Sequence, residues 1–90
     1  MNNNHFMMMK TLENVVKIND ETSFNAFFNF SGFNNSFTVY VTSNFAGMSQ
    51  EKLKPTTAVL DSPDFEKIVT DINITLYELH REGQLGRNKK

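Results

Sequence analysis

Two stretches of the chain repeat with a period of two. Over residues 24–30, Phe24, Ala26, Phe28 and Phe30 alternate with Asn25, Phe27 and Asn29. Over residues 37–42, Phe37, Val39 and Val41 alternate with Thr38, Tyr40 and Thr42. A period of two in aromatic and β-branched residues predicts two strands. The intervening Ser31-Gly32-Phe33-Asn34-Asn35-Ser36 carries Gly and Asn, which tolerate positive φ, so the two strands form an antiparallel hairpin.

The period changes near the C-terminus. Phe65, Ile68, Val69, Ile72, Leu76 and Leu79 fall within an arc of about 100° on a helix, the width of a core-facing stripe. Asp61-Ser62-Pro63-Asp64 starts this helix, with Ser62 as N-cap, Pro63 at the first position and two acids near the positive end of the dipole. The helix is expected to run to Glu82 and to end at Gly83. At the other end of the chain, Met8, Leu12, Val15 and Val16 share one helical face while Lys10, Glu13, Asn14 and Lys17 face elsewhere. That predicts a short first helix, although Val15, Val16 and Ile18 also suit a strand. Residues 44–55 read as a connection, broken by Gly47, with a turn of helix over 49–54 stopped at Pro55. Residues 56–60 supply a third strand.

The expected architecture is therefore α+β. It is a small two-layer domain in which a three-stranded antiparallel sheet, the hairpin plus one strand, carries a long C-terminal helix and a short N-terminal helix on one face. The domain spans residues 7–83, between a disordered Asn-rich N-terminus (1–6) and a basic flexible tail (84–90). Met7, Met8 and Met9 are each candidates for the natural start.

Length and composition narrow the class of function. Ninety residues with 39% apolar side chains support one core, filled in large part by nine Phe. With no Cys there is no disulfide framework, thiolate nucleophile or Cys-based metal site, which suits a cytoplasmic protein. No run approaches the ~18 apolar residues of a membrane span. The net charge of −1 gives no overall field for nucleic acid, yet the charges are unevenly placed. All of them lie in residues 10–21 or 51–90, and residues 22–50 carry none.

That block contains the hairpin, so the sheet face turned away from the helices is polar but uncharged: Asn25, Phe27, Asn29, Thr38, Tyr40 and Thr42. It lacks the Lys and Glu that ordinarily discourage sheet-to-sheet pairing. Two arrangements answer this. Either the 44–55 connection or the first helix folds back over the face, or the face is an interface, for a second copy or another protein. Phe33 at the hairpin tip fits the second arrangement. The last helix has a further stripe, Thr70, Ile74, Tyr77 and Arg81, opposite its core face, where Tyr and Arg are residue types typical of binding hot spots. The residues expected to meet a partner are thus Phe27, Phe33, Tyr40, Ile74, Tyr77 and Arg81. An isolated Ile74 would need no such explanation, and the stripe can equally pack on the first helix.

Two other classes fare less well. Sheet aromatics can stack bases and Arg81, Arg87, Lys89 and Lys90 can hold phosphates, so weak single-stranded nucleic-acid binding is the alternative reading. Residues 22–50, however, offer no cation to track a backbone. For catalysis the candidates are His5, in the N-terminus, and His80, on a helix flank whose C-terminal position alone accounts for it. Asp61, Asp64 and Asp71 sit where helix capping explains them, without the oxygen spacing of a calcium loop. No catalytic, cofactor or metal site is expected. The three Asn-X-Ser/Thr matches, at Asn29, Asn34 and Asn73, are chance occurrences in an Asn-rich chain.

Residues 28–41, FNFSGFNNSFTVYV, resemble the Phe-Ser-Gly hairpin of short uncharacterised phage and prophage proteins. Those proteins carry a polar ring, often His, after the Gly, where this chain has Phe33. The resemblance spans 14 of the 90 residues and implies a mobile-element origin and a small protein that binds a host or phage component, with no activity or site residues to transfer.

Overall fold

The computed structural model of the protein describes residues 3–45 and 47–88. Helix α1 (Asn3–Glu21) leads into strands β1 (Asn25–Ser31), β2 (Ser36–Phe45) and β3 (Met48–Val59), and helix α2 (Phe65–Asn88) follows. The strands form one antiparallel sheet in the order β1-β2-β3. Each element reverses the direction of the one before it, so the two helices run parallel. Their contacts confirm this: Asn14 meets Asn73, and Glu21 meets both His80 and Gln84 further along. Both helices lie on one face of the sheet, α1 against β1 and α2 against β3. This is the two-layer α+β arrangement expected from the sequence.

The core forms where the three surfaces meet. Val15 and Ile18 come from α1, Ala26, Phe37, Val39, Val41 and Ala58 from the sheet, and Phe65, Val69, Ile72, Leu76 and Leu79 from α2. The α2 stripe is thus the one read from the sequence, with Ile68 at its partly buried margin. Ser62 lies in the turn that leads into α2, where its Oγ accepts from the Asp64 N–H at 3.2 Å, and the helix itself begins at Phe65, two residues after the expected start at Pro63.

Four further expectations need correction. First, α1 already includes residues 3–6, which were expected to be disordered. The Asn4 amide donates to the Leu60 carbonyl at 2.8 Å and Met7 packs on the core, so this turn is tied down by tertiary contacts rather than by helix propensity. Residues 1 and 2 lie outside the described residues.

Second, the α1 face differs from the predicted one. Thr11, Val15 and Ile18 are buried, while Val16 is 48% exposed. A fully buried Thr11 is tolerated because its hydroxyl donates to the Met7 carbonyl (2.9 Å) and accepts from the Asn73 amide (2.9 Å), whose oxygen in turn accepts from Asn14.

Third, residues 44–55 are not a connection with a helical turn. β2 continues to Phe45, the chain reverses at Gly47 (φ +78°), and β3 begins at Met48. Two bulges adjust the pairing. Val39 faces Thr56 and Val41 faces Leu53, so Tyr40 opposes two residues, Lys54 and Pro55; Thr42 then faces Glu51, leaving Lys52 as the second extra residue. Pro55 is accommodated because β3 is an edge strand and the bulge asks for no ladder donor there. Lys52 reaches the helix layer, 3.2 Å from Glu82 and 5.5 Å from the centre of the Phe24 ring.

Fourth, α2 does not stop at Gly83 but runs through to Asn88. The segment expected to be a flexible tail therefore starts as helix. Lys89, Lys90 and the Arg87 side chain, invoked for phosphate binding, lie outside the described residues.

Candidate interaction surfaces

Alternation along β1 and β2 sends Ala26, Phe28, Phe37, Val39 and Val41 towards the helices, and their neighbours the other way. The outward row holds Asn25, Phe27 and Asn29 opposite Thr42, Tyr40 and Thr38. At its centre Phe27 and Tyr40 stack, ring centroids 4.5 Å apart and planes 12° from parallel. Thr38 continues the row into β3 with a 2.7 Å bond between its hydroxyl and that of Thr57. Neither α1 nor residues 44–55 fold over this face, since α1 belongs to the helix layer and residues 48–55 extend the sheet. Phe27 remains 40% exposed. The face is not wholly uncharged, however: Glu51, paired with Thr42, and Lys54, opposite Tyr40, join it from β3, most of which was expected to be a connection.

Phe33, at the tip of the first hairpin, is fully exposed. The turn holds it there: Asn35 adopts φ +50° and Ser36 donates to the Asn34 side chain at 2.6 Å. Met48 is similarly exposed at the second hairpin, at the opposite end of the sheet.

Ile74, Tyr77 and Arg81 lie on the other side of the molecule. They line a shallow groove of about 590 Å³ between α1 and α2, with Phe6 and Lys10 on the opposite wall. Phe6, Ile74 and Tyr77 are each more than half exposed. The groove floor is the Asn14–Asn73 pair. The six residues singled out from the sequence thus divide between three places: Phe27 and Tyr40 on the open sheet face, Phe33 at a tip, and Ile74, Tyr77 and Arg81 on the helix layer. The sequence reading missed Phe6, because the first residues were set aside as frayed, and its i, i+4 spacing to Lys10 and Asn14 is the signal that would have placed it on one face.

One further arrangement had no sequence signal. The Asn19 side chain pairs with the outer backbone edge of Ala26, its amide donating to the Ala26 carbonyl (2.9 Å) and its oxygen accepting from the Ala26 N–H (2.8 Å). It occupies the place of one residue of a neighbouring strand.

The two His residues lie far apart. His5 stands near the start of α1 and His80 near the end of α2, at opposite ends of the parallel helix pair. His80 Nε2 is 2.9 Å from Glu21 Oε1, a contact that joins the helix ends. Among the described residues there is no group of three or more His, Cys, Asp or Glu arranged to hold a metal ion, and no helix long and apolar enough to cross a membrane. Comparison with family models, with curated proteins and with solved structures returned no match.

Proposed function

We propose that this chain is a non-enzymatic protein-interaction module of phage or mobile-element origin, acting in the cytoplasm and docking through the open face of its hairpin to a second copy or to a host or phage protein. The observation that carries the reading is the stacked Phe27–Tyr40 pair at the centre of a sheet face that the other described residues leave open. Interface cores are depleted in charge and enriched in aromatic residues, and a pre-stacked ring pair supplies contact area at little entropic cost. Fully exposed Phe33 extends the same hairpin towards a partner. The separation of the two His residues favours binding over catalysis, and the lack of Cys suits a reducing compartment.

A single-stranded nucleic-acid role ranks second. It keeps the two aromatics, but they stack on one another, and the third strand brings Lys54 and Glu51 together to their face, so the single cation beside the rings is offset by an acid where a polyanion would pass.

A photocrosslinking residue at position 40 tests the reading, with one at exposed position 66 on α2 as the control. Irradiation in cells is expected to yield a discrete protein adduct from position 40 and none from 66, and Phe33→Lys is expected to reduce its yield. Crosslinks to nucleic acid would favour the second reading, and equal labelling from both positions would overturn the first.

A further inference from the structure

The two edges of the sheet are built differently. The β3 edge carries two bulges, Pro55, Lys52, Lys54 and Glu51, which are devices that stop one sheet from adding to another. The β1 edge carries none of these: Asn25–Ser31 is regular, continuously paired to β2, and free of charge and Pro. Its outward backbone positions follow from the Asn19 contact. Since the Ala26 N–H and carbonyl point away from β2, those of Phe28 and Phe30 do too, two and four residues on. Asn19 caps the first of the three, and among the described residues none caps the other two. Phe30 is also anomalous. It belongs by alternation to the core-facing row with Ala26 and Phe28 and pairs with fully buried Phe37, yet it is 51% exposed.

We propose that the β1 edge pairs antiparallel with the β1 edge of a second copy, joining the two sheets into one of six strands. This rests on the reading of the chain as an interaction module, but places self-association at the strand edge and leaves the open face to other partners. A two-fold axis fixes the register. Placing Asn29 opposite its symmetry mate sets Phe28 against the mate's Phe30, and Phe30 against the mate's Phe28. That register uses both uncapped positions, keeps Asn19 on Ala26, and asks nothing of the turn residues. Each Phe30 is then covered by a Phe28 across the junction, the aromatic cross-strand pairing that stabilises sheets. The self-complementary register points to a second copy as the occupant, since the two uncapped positions and their two aromatic side chains answer one another across the axis, and the absence of charge permits it. Antiparallel self-pairing brings like residues close together, so a charged strand would repel its mate, and this one does not.

Hydrogen exchange on the unmodified protein across a dilution series tests the pairing, alongside light scattering. In the monomer the amides of Phe28 and Phe30 face solvent while those of Phe27 and Asn29 are held by β2. Concentration should therefore slow exchange at 28 and 30 while leaving 27 and 29 unchanged, as the mass rises to twice 10.4 kDa. Phe30→Pro, which removes an outward donor that β2 does not use, should weaken the dimer by about tenfold or more, with Phe30→Lys acting likewise and circular dichroism confirming the fold. A dimer unaffected by Phe30→Pro but lost in Tyr40→Lys would overturn edge pairing and favour face-to-face docking. A monomer at every concentration would also overturn it, and a position-40 crosslink to a different protein would then show the interaction reading surviving alone.

Discussion

How closely the two helices approach at their C-terminal ends is set at Gly83. A Cβ built there would lie 2.5 Å from Thr22 Cβ and 2.7 Å from its methyl group, well inside contact distance. Thr22 cannot easily yield, because its hydroxyl donates to the Ile18 carbonyl at 2.7 Å and accepts from the Phe24 N–H at 3.0 Å, closing the α1–β1 corner. Gly83→Ala is therefore expected to lower stability by about 1–2 kcal/mol in urea denaturation, even though Ala favours a helix over Gly by about 1 kcal/mol. A raised midpoint would show that position 83 is an ordinary helix site. From sequence, Gly83 reads as a helix stop because its poor propensity is local and visible. Its packing role depends on a residue 61 positions away, and nothing near Gly83 announces it. Asn19 is a similar case, since an exposed helical Asn gives no sign that it will finish a strand edge.

Elements were legible in proportion to how undisturbed their period was. The α2 stripe, from Phe65 to Leu79, keeps helical spacing throughout, and the first hairpin keeps a period of two that Phe27 alone blurs. β3 was only caught at its last few residues because its two bulges each insert a residue and reset the alternation, so residues 49–54 read as a turn of helix and Pro55 as its stop. The sheet's second turn was hidden for the same reason, with Gly47 taken as a breaker rather than as the turn itself. Its geometry makes a direct test. Nothing lies within 4 Å of a Cβ built at Gly47, so any cost of a side chain there comes from φ +78° alone. Gly47→Ala should destabilise by about 1–2 kcal/mol and Gly47→Asn by less, since Asn tolerates the left-handed region better. Asn35, at φ +50° in the first hairpin, should show the mirror pattern, with Asn35→Gly close to neutral and Asn35→Ala costly. Thermal unfolding of the four variants checks the ranking, and equal losses for Ala and Asn at position 47 would place the cost elsewhere.

At the scale of the whole molecule, one side chain joins the two layers. Phe37 has no exposed surface, stacks on Phe28 with centroids 5.0 Å apart, and meets the Phe65 ring edge-on at 6.1 Å. It therefore connects β1, the central strand and the start of α2 in a single aromatic cluster. A chain of this length is stable by about 5–13 kcal/mol in total, and truncating a buried Phe to Ala costs about 3–5 kcal/mol. Phe37→Ala should thus remove a large part of the stability at once. Because a one-sided sheet has no second helix layer to hold it, neither layer is expected to persist without the other. With Tyr77→Phe in the background, so that Tyr40 on the open sheet face is the one tyrosine, the helical signal in the far ultraviolet and the tyrosine fluorescence should fall together with and without Phe37→Ala, the Phe37→Ala form shifted to lower denaturant with its slope unchanged. A helical signal that outlasted the sheet signal would mean that the parallel α1–α2 pair, through the Thr11, Asn14 and Asn73 network, is stable by itself. The open face would then belong to a sheet held in place by its partner rather than by the helices.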